Sequence, residues 1–234
     1  MTTFSDGIKL GNRKRTGKLL YPKSSMVYVD FVPATLDRDG LCVSQTTAGA
    51  AFLTLTGALT SGGVGILDSG VDSYGRCVGI YSAADLSGVT FTVRGFDVYN
   101  EPMTETITGP DGDPTPATTA GLKAFKRVTS VYASGAVATG VEVGTIDKFG
   151  LPFRLSDLGQ VVRVGWTQTL ADNAATVAVG VTTDPATATT GDVRGTVIPS
   201  SAANGTRRLV VVYIPDLTNS VTQYGIRQYA TGTE

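Results

Sequence analysis

Between Arg76 and Thr145 the chain is a succession of short segments in which β-branched and aromatic residues alternate with polar ones, VTFTVRGFDVY and TETIT among them, each closed by turn residues. Such side chains pack well on a pleated, half-buried backbone and lose χ1 freedom in a helix. A period of two sustained over many short runs constrains the fold to antiparallel sheet. The reading is an all-β protein, a β-sandwich of jelly-roll-like type, with function sought on its surfaces.

The same pattern extends to both sides. In SMVYVDFV the residues Met26, Tyr28 and Asp30 alternate with Val27, Val29 and Phe31, which fits a first strand with one wet face. Along AFLTLTG, Phe52, Leu53 and Leu55 are expected inside and Thr54 and Thr56 outside. Val89, Phe91 and Val93 share one parity and Phe96 and Val98 the other, so a bulge near Gly95 would return both sets to one core. Thr104, Thr106 and Thr108 oppose Met103, Glu105 and Ile107. The stretch GPDGDPTPATTAG, residues 109–121, reads as an exposed loop. GVEVGT is a further short strand, with Val141 and Val143 inward.

The pattern restarts near Phe149-Gly150-Leu151-Pro152, a candidate internal boundary at 149–152 within a body spanning 25–234. Val162, Val164 and Trp166 fall on one side of one strand, and Val177, Val179 and Val181 on one side of another. LVVVYI, Leu209 to Ile214, is apolar on both parities and belongs in the middle of a packed sheet. Asn204-Gly205-Thr206 reads as a hairpin turn before a strand that starts near Arg207. Only Ser156 to Gln160 and the N-terminal arm leave room for a short helix.

Residues 1–24 mix glycine with basic and polar side chains without periodicity and read as an extended arm. Lys9, Arg13, Lys14, Arg15, Lys18 and Lys23 face only Asp6 there, although the whole chain carries a formal net charge of -1. For Lys9, Arg13, Lys14, Arg15 and Lys18 two readings stand level, a strap across an acidic neighbouring subunit and a merely solvated tail. Direct nucleic-acid contact is disfavoured, because no aromatic residues interleave with the bases.

The 234 residues contain no histidine, which removes the commonest general base near neutral pH and the commonest metal ligand. Cys42 and Cys77 are too few for a zinc site; buried free thiols are expected, with pairing as the alternative. Asp111 and Asp113 lack the third acid and closing glutamate of a helical calcium loop and read as a solvated turn. SGGVG, ending at Gly65, lacks the lysine and hydroxyl of a phosphate loop. Asp37, Asp39, Asp68, Asp72, Asp85, Asp97, Asp184, Asp192 and Asp216 sit mostly beside Gly, Pro or Ser, where turn formation accounts for them. GxSxG does not occur. No enzymatic centre, cofactor or metal is therefore expected; a particle-borne hydrolase using paired acids is the remaining catalytic reading.

The opening MTTFSDGIKLGNRKR has no apolar central run, so synthesis is expected to end in the cytoplasm. The uncharged stretch from Leu41 to Leu67 is diluted by glycines and hydroxyls and is read as sheet and loop, with no membrane partner.

DLSGVTFTVRGFDVYNEPMTETITGP followed by KAFKRVTSVYASGAVATGVEVGT resembles virion structural proteins of tailed bacteriophages, whose segments have the form SGxTFTVxGxDxxxxxxTETITGP, KAFKxVTSVxASG and VxVGT. The resemblance covers Leu86 to Thr145. DPATATTGDVRGTV, NGTRRLVVVYIPDL and YGIRQY, within Asp184 to Tyr229, look like the closing part of similar phage proteins. The chain departs from the usual pattern at Asn100-Glu101-Pro102, where Asn-Gly is frequent. The resemblance implies a non-enzymatic decoration or cement protein on the capsid exterior, assembled in the host cytoplasm. It would be a homo-oligomer, commonly a trimer, with the major capsid protein as partner. A host-glycan-binding module of a head or tail fibre is the alternative, for which exposed Tyr81, Tyr99, Tyr132 or Tyr224 would stack on sugars.

Overall fold

The computed structural model describes residues 26–67, 74–113, 115–166, 174–215 and 226–228. In chain order the strands are β1 (Val27–Phe31), β2 (Cys42–Thr47), β3 (Ala51–Leu53), β4 (Thr60–Ser61), β5 (Val64–Ile66), β6 (Arg76–Ser82), β7 (Thr90–Phe96) and β8 (Pro102–Thr108). There follow β9 (Ala117–Phe125), β10 (Arg127–Ala133), β11 (Val137–Gly150), β12 (Val161–Trp166), β13 (Thr176–Val179), β14 (Gly195–Ile198) and β15 (Leu209–Tyr213). No α-helix occurs among the described residues; the room at Ser156–Gln160 holds one 3-10 turn, Leu158–Gln160, capped by Asp157. The Leu41–Leu67 stretch forms strands β2 to β5, and no described helix is long and apolar enough to cross a membrane.

The protein is an all-β sandwich of antiparallel sheets. One six-stranded sheet runs β4-β5-β10-β7-β8 with β3 also on β10; a second runs β13-β14-β11-β6-β9 with β2 on β11; a third, of three strands, runs β1-β15-β12. Alternation along the strands makes the first core: Phe91, Val93, Met103, Ile107, Val128 and Val131 meet Val78, Ile80, Val141 and Val143 of the second sheet. The second core lies between the other end of that sheet, at Phe149, Leu151 and Val197, and the three-stranded sheet, through Val29, Phe31, Val164, Trp166, Leu209, Val211 and Tyr213. Phe31 meets Phe149 edge-on at 5.4 Å. The chain passes between the cores at Phe149–Leu151, while β1 pairs with β15, so the cores interleave in sequence.

One sheet serves two cores because β6 carries a bulge on each side. On β9 the four steps from Ala120 to Ala124 face only two on β6, Gly79 to Cys77, and on β11 the four from Thr145 to Phe149 face two, Val78 to Arg76. Extra residues in a strand bend it and increase its twist, which curls the sheet from the first core toward the second.

Much of the patterning holds: β8 buries Met103, Glu105 and Ile107, β1 buries Val29 and Phe31, and β15 lies between two neighbours. Other expectations are corrected. The shift expected at Gly95 lies across the ladder, on β10 between Val128 and Ser130, while β7 pairs with β8 without interruption. Phe96 therefore stays outside, and the buried position beyond Gly95 is Asp97. Phe52 obeys strict alternation with Leu53 and is 63% exposed. The exposed loop expected at residues 109–121 holds only in part: Asp111, Asp113, Thr115 and Pro116 are exposed, but Gly109, Pro110 and Gly112 are buried and β9 begins at Ala117. A bulge between Val161 and Arg163 turns Val162 out, Val179 is exposed, and the strand begun at Val137 runs 14 residues instead of stopping at Thr145. Asn204 does close a turn, its Oδ1 accepting from the N–H groups of Thr206 at 3.0 Å and Arg207 at 2.8 Å. The flanking β14 and β15 belong to different sheets, so it is not a hairpin.

Gly95 sits at a close approach of two backbones: a Cβ there would lie 2.0 Å from the Arg127 carbonyl oxygen. Gly95→Ala is expected to destabilise the protein by about 3 kcal/mol or more in urea titration, whereas Gly88→Ala, with open space around its Cβ, should stay within about 0.5 kcal/mol of wild type.

Candidate functional site

Each bulge frees peptide groups inside the protein, and a buried peptide group without a partner costs about as much as a lost hydrogen bond. Buried charged side chains meet that need here. On the β9 bulge the Glu105 carboxylate, reaching from β8, accepts from the N–H of Leu122 and, at 3.3 Å, from that of Lys123. Asp192 takes the N–H of Ala124 at 3.0 Å, and the Lys148 ammonium donates to the Gly121 carbonyl at 3.1 Å. On the β11 bulge Arg76 Nε donates to the Ile146 carbonyl at 2.7 Å, and the Tyr81 hydroxyl to that of Thr145 at 2.5 Å.

The network continues into the second core. Asp97, which closes the β7–β8 loop by accepting from Tyr99 N at 2.8 Å and Glu101 N at 2.9 Å, presents its other oxygen to Arg194 at 2.8 Å. Asn100 supplies the left-handed residue of that loop, φ 63°, a conformation asparagine tolerates. Arg194 also donates to the Leu151 carbonyl at 3.1 Å and lies over the Tyr99 ring at 5.3 Å. The side chains of this pair are 2% and 0% exposed. Asp192 Oδ1 accepts from Arg194 N at 2.8 Å, so the short segment 192–194 ties β9 and the β7–β8 loop to β14.

Burial works against the Arg194 charge, but Asp192 and Asp97 outweigh it and raise its pKa. Burial pushes the Glu105 carboxyl up to about 7, although the Leu122 and Lys123 N–H groups and the Lys123 and Lys148 charges pull the other way. Burial also lowers the Lys123 pKa, against the pull of Asp192 and Glu105; its ammonium has no hydrogen-bond acceptor among the described residues. Cys42 and Cys77 are free and buried, and burial holds both thiols protonated, Cys42 up to about 12. Glu105, Asp192, Lys148, Arg76, Asp97 and Arg194 are thus committed to peptide groups and to one another. No group of three His, Cys, Asp or Glu side chains able to hold a metal occurs among the described residues.

Of the charged residues in RGFD, TETIT and KAFK, Asp97, Glu105 and Lys123 are buried, whereas Arg94 is exposed and Lys126 half-buried. Of the acids read as turn formers, Asp85 is one, accepting from Ser87 N at 2.8 Å; Asp97 is both turn former and ion-pair partner, and Asp192 is a buried bulge acceptor.

Outside the core, no sheet among the described residues covers the outer face of the first six-stranded sheet. Across it the register sets Phe52 beside Tyr132 and Thr92, Ser130 beside Arg94 and Thr104, and Ile66 beside Arg127 and Phe96. Phe52 meets Tyr132 edge-on at 5.0 Å, and the Arg127 guanidinium lies 4.8 Å from the Phe96 ring centre. Of the tyrosines considered for sugar stacking, Tyr81 is buried under Arg38, Tyr99 is exposed with its hydroxyl on the Pro152 carbonyl, and Tyr132 packs on Phe52. Tyr224 and the arm residues Lys9, Arg13, Lys14, Arg15 and Lys18 lie outside the described residues. No protein-family model, curated protein or solved structure matches the chain.

Two outcomes test the ionic junction. Asp97→Ala removes the carboxylate bonded to the buried Arg194 guanidinium, leaving only the Asp192 charge nearby, and should cost about 3–5 kcal/mol in urea unfolding, with the Arg194→Met, Asp97→Ala pair costing less than the sum of the singles. Glu105 has a folded pKa above its ordinary value of 4.5, so its contribution is full below pH 4.5 and lost as pH rises through about 7. Wild type should therefore lose stability relative to Glu105→Gln, on the order of 3 kcal/mol, across that window, as measured by urea titration at stepped pH.

Proposed function

We propose that this chain is a non-enzymatic structural component of a tailed-bacteriophage particle, a decoration or cement protein seated over or between major capsid subunits as a homo-oligomer. The observation that carries the reading is the fate of two acids in the phage-like segment: Asp97 and Glu105 are sealed inside, one paired with Arg194 and the other on the β9 bulge, as supports of a bent sheet. Residues spent on stiffness suit a part that bears load and makes contacts through its outer faces. A clamp on a shell gains from many modest contacts, because each is made at high effective concentration once the first has formed. A body that keeps its shape loses little entropy on docking. The basic residues Lys9, Arg13, Lys14, Arg15 and Lys18 add a second attachment by the same arithmetic.

Purified protein added to matching capsids that lack it should bind in fixed stoichiometry and raise the temperature at which the heads release DNA. Heads that neither take up the protein nor gain heat resistance would sink the proposal. Removing residues 1–18 should lower occupancy on the particles while the far-ultraviolet circular dichroism of the β-body is kept; unchanged occupancy would exclude the strap.

A further inference from the structure

All three sheets carry exposed large apolar side chains, Val43, Leu122, Val179 and Ile198 on the second six-stranded sheet among them, but aromatic ones stand on the strands of only two among the described residues, and charge separates those two. On the three-stranded sheet the outward Tyr28 neighbours Asp30, which is neutralised by Arg208 at 2.7 Å. On the six-stranded sheet the outward side chains of β3, β5, β7, β8 and β10 include Arg94 and Arg127 and no carboxylate, since Asp97 and Glu105 point inward. Arg127 is held in place by Asn100 at 2.9 Å and by the Phe96 ring, and Arg94 makes no ion pair among the described residues. The apolar partners on this face, Phe52, Tyr132, Ile66 and Phe96, flank the two guanidinium groups in adjacent rows of the ladder. Rigid aromatics beside arginine are the composition that dominates protein–protein contact energies.

We infer that this outer face, centred on Phe52, Tyr132 and Arg94, is the surface by which the protein docks on an acidic, partly apolar patch of another protein. Resting on the function proposed above, that protein is the capsid subunit. Two arginines without a counter-charge favour a carboxylate-bearing partner and disfavour a second copy meeting the same face, which would set like charges together. They are also too few to hold a nucleic-acid backbone, whose binding scales with the number of phosphates neutralised. The Phe52–Tyr132 pair, its rings already in edge-on contact, supplies a preformed apolar anchor.

The test uses full-length protein on capsids that lack it, with bound copies quantified by mass spectrometry. Arg94→Glu and Phe52→Asp, both at exposed positions, should each weaken binding at least about tenfold, and Arg94→Glu should flatten the salt dependence seen with wild type. Tyr28→Asp, on the other sheet face, should bind within about twofold of wild type; matching thermal melts would exclude misfolding. If wild type binds and the two variants bind equally well, the assignment of this face is overturned and the capsid reading stands. Wild type failing to bind overturns the capsid reading and this inference with it. Variants that lose self-association in sedimentation while keeping capsid occupancy would assign the face to a second copy, and preferential binding of wild type to a DNA duplex would assign it to nucleic acid; either overturns the inference.

Discussion

A sheet that covers one core at one end and a second core at the other must bend, and bending breaks its ladder. Here β6 carries a two-residue excess on each neighbouring strand, and the freed peptide groups lie inside the protein, where water cannot serve them. The buried charges follow from that constraint. Glu105, Asp192, Lys148 and Arg76 each satisfy a bulge N–H or carbonyl, and the Arg194–Asp97 pair locks the loop between β7 and β8 to the strand that enters the second core.

Such a network is costly to assemble, because each ion leaves water, and it repays that only when nearly every donor and acceptor is matched. Its return is geometry: hydrogen-bonded charges tolerate far fewer arrangements than apolar packing does. The consequence is a body whose two cores are coupled, with an outer sheet face that no other sheet covers among the described residues. That division between a committed interior and an open exterior is what the proposed role on a capsid rests on.

The fold was legible where local pattern decides it. Alternation in Met103 to Ile107 and in Val27 to Phe31 gave the correct faces, and the doubly apolar Leu209–Tyr213 was correctly placed between neighbours. It was not legible where the cause is non-local. Asp97 and Asp192 look like turn acids because they do serve local N–H groups; that Asp97 also meets Arg194, 97 residues away, leaves no local trace. Glu105 between Met103 and Ile107 was the available signal, an acid on the apolar parity of a strand. The parity switch around Gly95 points to a bulge on β7, yet Gly95 is required by the close approach of Arg127 while the extra residue sits on β10. Hydrophobicity alone puts Phe52 inside, against the alternation that in fact governs it.

The claim that the ionic junction makes the two cores one cooperative body is tested most directly by native-state hydrogen exchange, comparing wild type with Arg194→Met. Wild-type amides of β7 and β10 in the first core and of β12 and β15 in the second should exchange through one common opening, of equal free energy and denaturant dependence. In the variant the β12 and β15 amides should open separately and at lower free energy. Separate openings already present in wild type would contradict the account.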